Sequence, residues 1–265
     1  MHLSPTTQPR RPSRPVGDAA IGSRTLLIGE LLCESVDLHA GERVLDVPCG
    51  GGSTALAAAR RFCRVVGVDA PELLERARRR AKAEGLEVAF LEGEADDLPL
   101  PDGSFEVVLS ASQAISPPDQ HMVGELLRVC RPGGRIGLVG WTPDGYVGEL
   151  FAAIGRYLPA PAGGKAPGPW STRERLGELF GPEVAITAPR RSFLWRFPSA
   201  EHQVAFFTSF HDATVEALQA LEPDSADALK AELLEAARRF DVSEDDTLVL
   251  RLDYLEAVVR KPVWL

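Results

Sequence analysis

At 265 residues, 45% of them hydrophobic and 25% charged, the chain has the composition of an ordinary globular protein long enough to bury a sizeable core. A formal net charge of −9 argues against the broad basic face that nucleic-acid binding needs, so the expected partner is a small-molecule substrate and no nucleic acid. No apolar run approaches the ~20 residues of a membrane span. Cys33, Cys49, Cys63 and Cys130 show no C-x-x-C spacing and read as buried thiols in a reducing, cytoplasmic setting, and the histidines show no metal-ligand spacing, so no metal is predicted.

Residues 1–16 carry Pro5, Pro9, Pro12 and Pro15 with three arginines and almost no apolar content, which predicts a disordered tail ahead of one domain spanning 17–265. From Asp18 to Leu38 the apolar residues Ile21, Leu26, Leu27, Ile28, Leu31 and Leu32 recur at helical spacing. The apolar run that ends at Asp46 passes through Gly50, Gly51 and Gly52 into the alanine-rich stretch Ala55 to Arg61, the pattern of strand, tight turn and helix. Arg64 to Asp69 is a second strand ending in an acid, about 20 residues beyond the first, where a carboxylate can accept both ribose hydroxyls of an adenosine. A dinucleotide would call for a third glycine at position 55, where Ala55 stands. It would also set its pyrophosphate beside Asp46, a place better suited to an ammonium or a sulfonium.

Four stretches in order carry a resemblance: Asp46-x-x-x-Gly50-x-Gly52; Val68-Asp69; Gly93 through Val108; and Leu127 through Arg135 with its Pro132-Gly133-Gly134 turn. They resemble the motifs of class I S-adenosylmethionine-dependent methyltransferases, most of all the branch of the ubiquinone and menaquinone methyltransferases. Pro48 stands where that family usually has glycine, and Glu94 where it usually has aspartate. The resemblance implies a doubly wound, Rossmann-like α/β sheet with a reversed last strand and S-adenosyl-L-methionine as cofactor. It implies a cofactor site at Asp46, Gly50, Gly52, Asp69, Ala70, Glu94, Ala95 and Ser110, with Glu94 and Ala95 meeting the adenine.

Beyond Asp69, Pro71 opens a helix that stops at Gly85; Arg76, Arg79 and Arg80 form a basic stripe on it, read as a solvated face. Val88 to Leu91 and Phe105 to Ser110 are the third and fourth strands, and Ser110 falls at the carboxyl end of the sheet, where ligands bind in open α/β folds. Ser116-Pro117-Pro118-Asp119 lacks the aromatic of a prolyl-prolyl-aromatic amino-group motif and reads as a loop into a helix over 119–129. Ile136 to Trp141 is the fifth strand, followed by a helix from Tyr146 to Tyr157 and a Pro/Gly-rich loop over 159–169. Short strands at 184–186 and 192–197, one or two helices over 199–240 and a last strand from Tyr254 to Arg260 complete the chain. The 199–240 stretch is expected as a lid-like helical insertion over the carboxyl edge.

Methyl transfer from a sulfonium needs no nucleophilic side chain, and a base only if the acceptor loses a proton. His121, His202, His211 and Tyr146 are the base candidates, each equally explained as a structural or surface residue. Phe206 and Phe210 share one helical face, which either lines an apolar or aromatic acceptor pocket with Gln113 and Trp141 or belongs, with Phe207, to a core stripe. Two alternatives stay open: a non-catalytic S-adenosylmethionine-binding protein and an NAD-dependent oxidoreductase. The acceptor and the oligomeric state are not legible in the sequence.

Overall fold

Short strands that are apolar on both faces have to be covered on both sides, and the central strands Arg43–Asp46 and Phe105–Ser110 meet that condition. The computed structural model describes residues 25–111, 119–157 and 171–264. β1 (Arg43–Asp46), β2 (Arg64–Asp69), β3 (Val88–Glu92), β4 (Phe105–Ser110) and β5 (Cys130–Trp141) are all parallel, in the order β3-β2-β1-β4-β5. Three further strands, β6 (Ala185–Thr187), β7 (Arg190–Phe197) and β8 (Leu248–Arg260), complete the sheet. β8 runs antiparallel to β5 and carries β6 and β7 end to end along its outer edge, giving the reversed last strand. Pro189 separates β6 from β7, and its carbonyl still accepts the Glu256 N–H, so the ladder continues across the break.

The described residues form nine helices: α1 (Leu26–Ser35), α2 (Ser53–Arg60), α3 (Pro71–Glu84), α4 (Gln120–Val129), α5 (Tyr146–Tyr157), α6 (Arg173–Phe180), α7 (Ala200–Phe210), α8 (Asp212–Ala220) and α9 (Pro223–Arg239). α1 and α2 cover one face through Leu32, Val36, Ala55 and Ala58 against Val44, Val107 and Val139. α4 and α6 cover the other through Val123, Leu126, Leu176 and Leu179 against Leu45, Val108 and Ile136. Gly137 lets α1 lie close on β5: a Cβ there would sit 2.6 Å from Val36 Cγ1. Side-chain caps start α4, α6 and α7, where Asp119, Thr172 and Ser199 accept the N–H groups of Met122, Arg175 and His202.

A second core lies beyond the carboxyl end of β5. That strand ends at Trp141, opposite Tyr254, while Leu248–Asp253 run on past it paired with β7. Leu248, Leu250 and Leu252 of this projecting ribbon, with Trp195 and Phe197, are buried under α5, α7 and α9. Three elements are longer or more numerous than expected. β5 starts at Cys130 and β8 at Leu248, and the 199–240 stretch holds three helices, broken where His211 and Leu221 take extended backbone. Phe207 is buried at 3% exposure in this core, while Phe206 and Phe210 are half-buried. Among the described residues no helix is long and apolar enough to cross a membrane.

Candidate active site

β1 and β2 pair in register, with Asp46 opposite Gly67, so their terminal carboxylates Asp46 and Asp69 stand at the same edge of the sheet. Between β1 and α2 the chain turns through Gly50 and Gly52 at φ 54° and 80°, a left-handed backbone that side chains with a Cβ rarely adopt. The Val47–Pro48 peptide leading into the turn is cis. Asp69 accepts the Gly50 N–H at 2.7 Å on Oδ2 and the Ala70 N–H at 2.7 Å on Oδ1. Asp46 Oδ2 accepts the N–H of Ala55, in the first turn of α2, at 2.8 Å. The turn is therefore held between two carboxylates.

Asp46 is only 1% exposed, and its second oxygen, Oδ1, has no partner. Burial first, and then the nearby charge of Asp69, push its carboxyl well above the usual carboxylate range, against the Ala55 bond that pulls it down. A buried acid with an unmet oxygen beside a second carboxylate favours a cation and rejects an anion. These acceptors fit the amino end of S-adenosylmethionine and do not fit a pyrophosphate.

α3 contributes more than a solvated face. Arg80 Nη1 donates to the Gly51 carbonyl at 2.7 Å and to Ser53 Oγ at 3.0 Å. The Arg76 guanidinium lies over Gly51, 2.9 Å from where a Cβ would be. Arg79 remains exposed. The four-residue spacing of Arg76 and Arg80 was the available signal, but their contact with the turn is made across the βαβ unit and has no local signature.

The other expected cofactor residues gather along the same edge. Asp69 pairs with Glu92 at the end of β3, which sets Glu94 and Ala95 just beyond it. Glu94 is exposed and bridges to Asp97, Ala95 is half-buried, and Ser110 ends β4 fully buried. Gln113 lies outside the described residues. Trp141, half-buried at the end of β5, touches the rings of Phe193 at 5.8 Å and Tyr254 at 6.1 Å. A row of rings on one face of β7, Phe193 then Trp195, connects it to Phe206 through Phe197 or Phe207; Phe206 and Phe210 pack on each other at 5.1 Å.

The base candidates are scattered. His121 is exposed on α4, and His202 is exposed in the first turn of α7 with its ring 6.4 Å from that of Phe197. His211 is buried between Phe151 and Phe207, with Nδ1 2.7 Å from Thr214 Oγ1, and burial pushes its pKa down to about 4. Tyr146 is fully buried, which pushes its phenol up and keeps it protonated. Among the described residues no group of three or more His, Cys, Asp or Glu is placed to hold a metal ion.

Residues 44–134 match the family of methyltransferase domains. The Mycobacterium tuberculosis protein Rv1403c is 34% identical over 255 residues, which cover 93% of this chain and 92% of that one. The demethylmenaquinone methyltransferase of Thermus thermophilus is 44% identical over 116 residues, 41% of this chain and 53% of the relative. Among solved structures, the YcgJ protein of Bacillus subtilis shares the fold with a TM-score of 0.61 at 21% identity, covering 91% of this chain and 99% of its own. The chain belongs to the class I S-adenosylmethionine-dependent methyltransferases. It is an enzyme whose cofactor is S-adenosylmethionine, and the nicotinamide and non-catalytic alternatives fall away.

Two outcomes follow from the buried groups. Asp46→Asn keeps an acceptor for the Ala55 N–H and removes the cost of ionising a buried acid beside Asp69, so the ligand-free variant should melt at or above the wild-type temperature at pH 7 while binding S-adenosylmethionine more weakly. Thermal melting and calorimetry check both; a less stable variant with intact affinity would contradict the electrostatic reading. His211 has a folded pKa of about 4 against 6.5 when free, so the folded state resists a proton that the unfolded chain accepts. Its contribution is intact above pH 6.5 and is lost as pH falls toward 4, about 3 kcal/mol in all. Urea unfolding of His211→Phe should lack that component of the pH slope, and equal slopes in variant and wild type would refute it.

Proposed function

We propose that the enzyme transfers a methyl group in line to a small apolar or aromatic metabolite held between the carboxyl edge of the sheet and helices α7–α9. The observation that carries the reading is the pair of carboxylates, Asp46 and Asp69, bracketing an open glycine turn. Asp69 holds the turn by accepting the Gly50 and Ala70 N–H groups, and as the acid at the tip of β2 it is the residue this reading assigns to the ribose hydroxyls. Asp46 keeps Oδ1 for the ammonium group. Gly50 and Gly52 leave the backbone bare where the nucleoside lies, Glu94 and the Ala95 N–H face the adenine edge, and Ser110 closes the floor.

Bound there, S-adenosylmethionine supplies a methyl carbon already activated on a sulfonium sulfur. The chain's own work is to orient the acceptor and exclude water. Trp141, Phe193 and Tyr254 form an aromatic wall at the end of β5, supported by the apolar core beneath the inserted helices, and such a wall suits a neutral, ring-bearing guest. Phe206 and Phe210, exposed in part on α7, extend that apolar surface. The residues 199–240 act in this reading as a lid on the acceptor. Four free, buried cysteines suit a reducing, cytoplasmic setting.

Calorimetry of Asp69→Ala with S-adenosylhomocysteine tests the ribose assignment. The variant should lose about 1.5–3 kcal/mol of binding, the scale for hydrogen bonds to a charged group. A cell lysate supplied with methyl-labelled cofactor and the enzyme should yield a labelled, neutral, lipophilic product by mass spectrometry. Equal binding by the variant, or label entering only highly charged acceptors, would contradict the reading.

A further inference from the structure

The basic stripe of α3 is the sequence feature that methyl transfer leaves unexplained. A solvated arginine on a helix takes an acid four residues away where one is offered, and Glu84 stands four residues beyond Arg80. Glu84 is already engaged: its Oε2 accepts Arg60 Nε at 2.8 Å and Arg60 Nη2 at 2.6 Å, at the end of α2. The Arg80 guanidinium goes to the glycine turn instead. Its Nη1 donates to the Gly51 carbonyl at 2.7 Å and to Ser53 Oγ at 3.0 Å, partners that carry no charge. Arg80 is half-buried there, and burial lowers its pKa, so the contact is made against the preference of a guanidinium for water.

Three consecutive glycines have more conformational freedom than any other backbone, and a ligand that has to order them as it binds loses affinity by the entropy of that ordering. A turn held in shape beforehand avoids the loss. On the inner side the Gly50 N–H donates to Asp69, and the Gly52 N–H donates to the Cys49 carbonyl at 2.9 Å, which makes Cys49–Gly52 a β-turn with Gly50 and Gly51 at its centre. The carbonyl of Gly51 belongs to the tip of that turn, and Arg80 is its donor. The same helix presses on the tip from outside. A Cβ on Gly51 would lie 2.9 Å from the Arg76 guanidinium, and one on Gly52 would lie 2.9 Å from the Cβ of Ala77. By bonding Gly51 and Ser53 with one nitrogen, Arg80 ties the tip of the turn to the first residue of α2.

We propose that Arg80 is a positioning residue for the cofactor: by bridging the Gly51 carbonyl and Ser53 Oγ it holds the glycine turn in its binding shape before S-adenosylmethionine arrives, and so sets the affinity of the site. It acts through the backbone of the turn and takes no part in breaking the carbon–sulfur bond. A site is precise when the groups that meet the ligand are themselves fixed from behind, and here the fixing comes from α3, on the far side of the turn from the two acids. The inference deepens the site proposed above and rests on the cofactor lying against this turn.

The probe is S-adenosylhomocysteine, titrated by calorimetry into the full chain and into three variants. Arg80→Met keeps the length of the side chain and removes every donor, Arg80→Lys keeps a donor for the Gly51 carbonyl, and Arg79→Met removes the same charge from the exposed neighbour that does not touch the turn. Arg80→Met should bind about tenfold more weakly, Arg80→Lys should recover part of that loss, and Arg79→Met should bind as the wild type does. Nitrogen-15 relaxation supplies the readout that a general loss of stability would not move: the amide order parameters of Gly51 and Gly52 should fall in ligand-free Arg80→Met and return when S-adenosylhomocysteine is bound, with those of the sheet unchanged. Should Arg80→Met fail to fold, Arg80→Lys carries the same comparison with a smaller loss expected. Unchanged affinity in the Arg80 variants, weaker binding with the glycine order parameters unmoved, or an equal loss in Arg79→Met would overturn the proposal. Wild-type protein that does not bind S-adenosylhomocysteine would end both this inference and the site it rests on, whereas wild-type binding that Arg80→Met and Arg80→Lys leave intact ends this inference alone.

Discussion

The hydrogen bond from the Gly50 N–H to Asp69, together with the burial of Asp46 beneath the same turn, is the constraint on which the rest of the structure depends. Two like charges at the ends of neighbouring strands repel, and desolvation adds to the cost. The fold tolerates them because backbone N–H groups of the turn and of α2 accept part of the burden. Parallel pairing of β1 and β2 sets the spacing of the acids, and Gly67 allows the Phe90 ring and the Cys49 thiol to pack beside them. Arg76 and Arg80 reach in from α3 to fix the outer side of the turn. What remains after these bonds are counted is one buried carboxylate oxygen with nothing to accept, at a place where a cation is stabilised.

The second organising feature is the length of β8. Because it continues past the end of β5, the chain gains a two-stranded ribbon, met at the inner edge of Val249 and Leu250 by Asp241 and Val242, and the apolar faces of α5, α7 and α9 close over it. In our account this separates two tasks in space. The parallel half of the sheet carries the cofactor site at its carboxyl edge, and the antiparallel extension carries a separate apolar core. Among the described residues, the two cores meet at the border around Trp141 and Phe193.

Local patterns made much of the first half of the fold legible in the sequence. The run from Arg43 to Asp46, the glycine triplet and the strand ending at Asp69 signal themselves through composition and spacing, because short parallel strands buried on both faces are uniformly apolar. Tyr146 to Tyr157 likewise shows its helix by periodicity alone. The start of β8 at Leu248 did not show, because Arg251 and Asp253 interrupt the run and it is pairing with β7, over fifty residues earlier, that makes it a strand. Arg80 looked like any exposed helix residue until the turn was folded against it. Gln203 gave no signal at all: one amide in a helix is unremarkable in sequence, and only the tertiary fold shows it buried.

The most direct test of the central claim is a crystal structure of the enzyme with S-adenosylhomocysteine. The account predicts both ribose hydroxyls within hydrogen-bonding distance of the Asp69 carboxylate, with the Gly50 N–H bond kept, and the amino group of the ligand on the side of Asp46 Oδ1. A nucleoside bound elsewhere on the chain, or one whose ribose leaves Asp69 untouched, would contradict it.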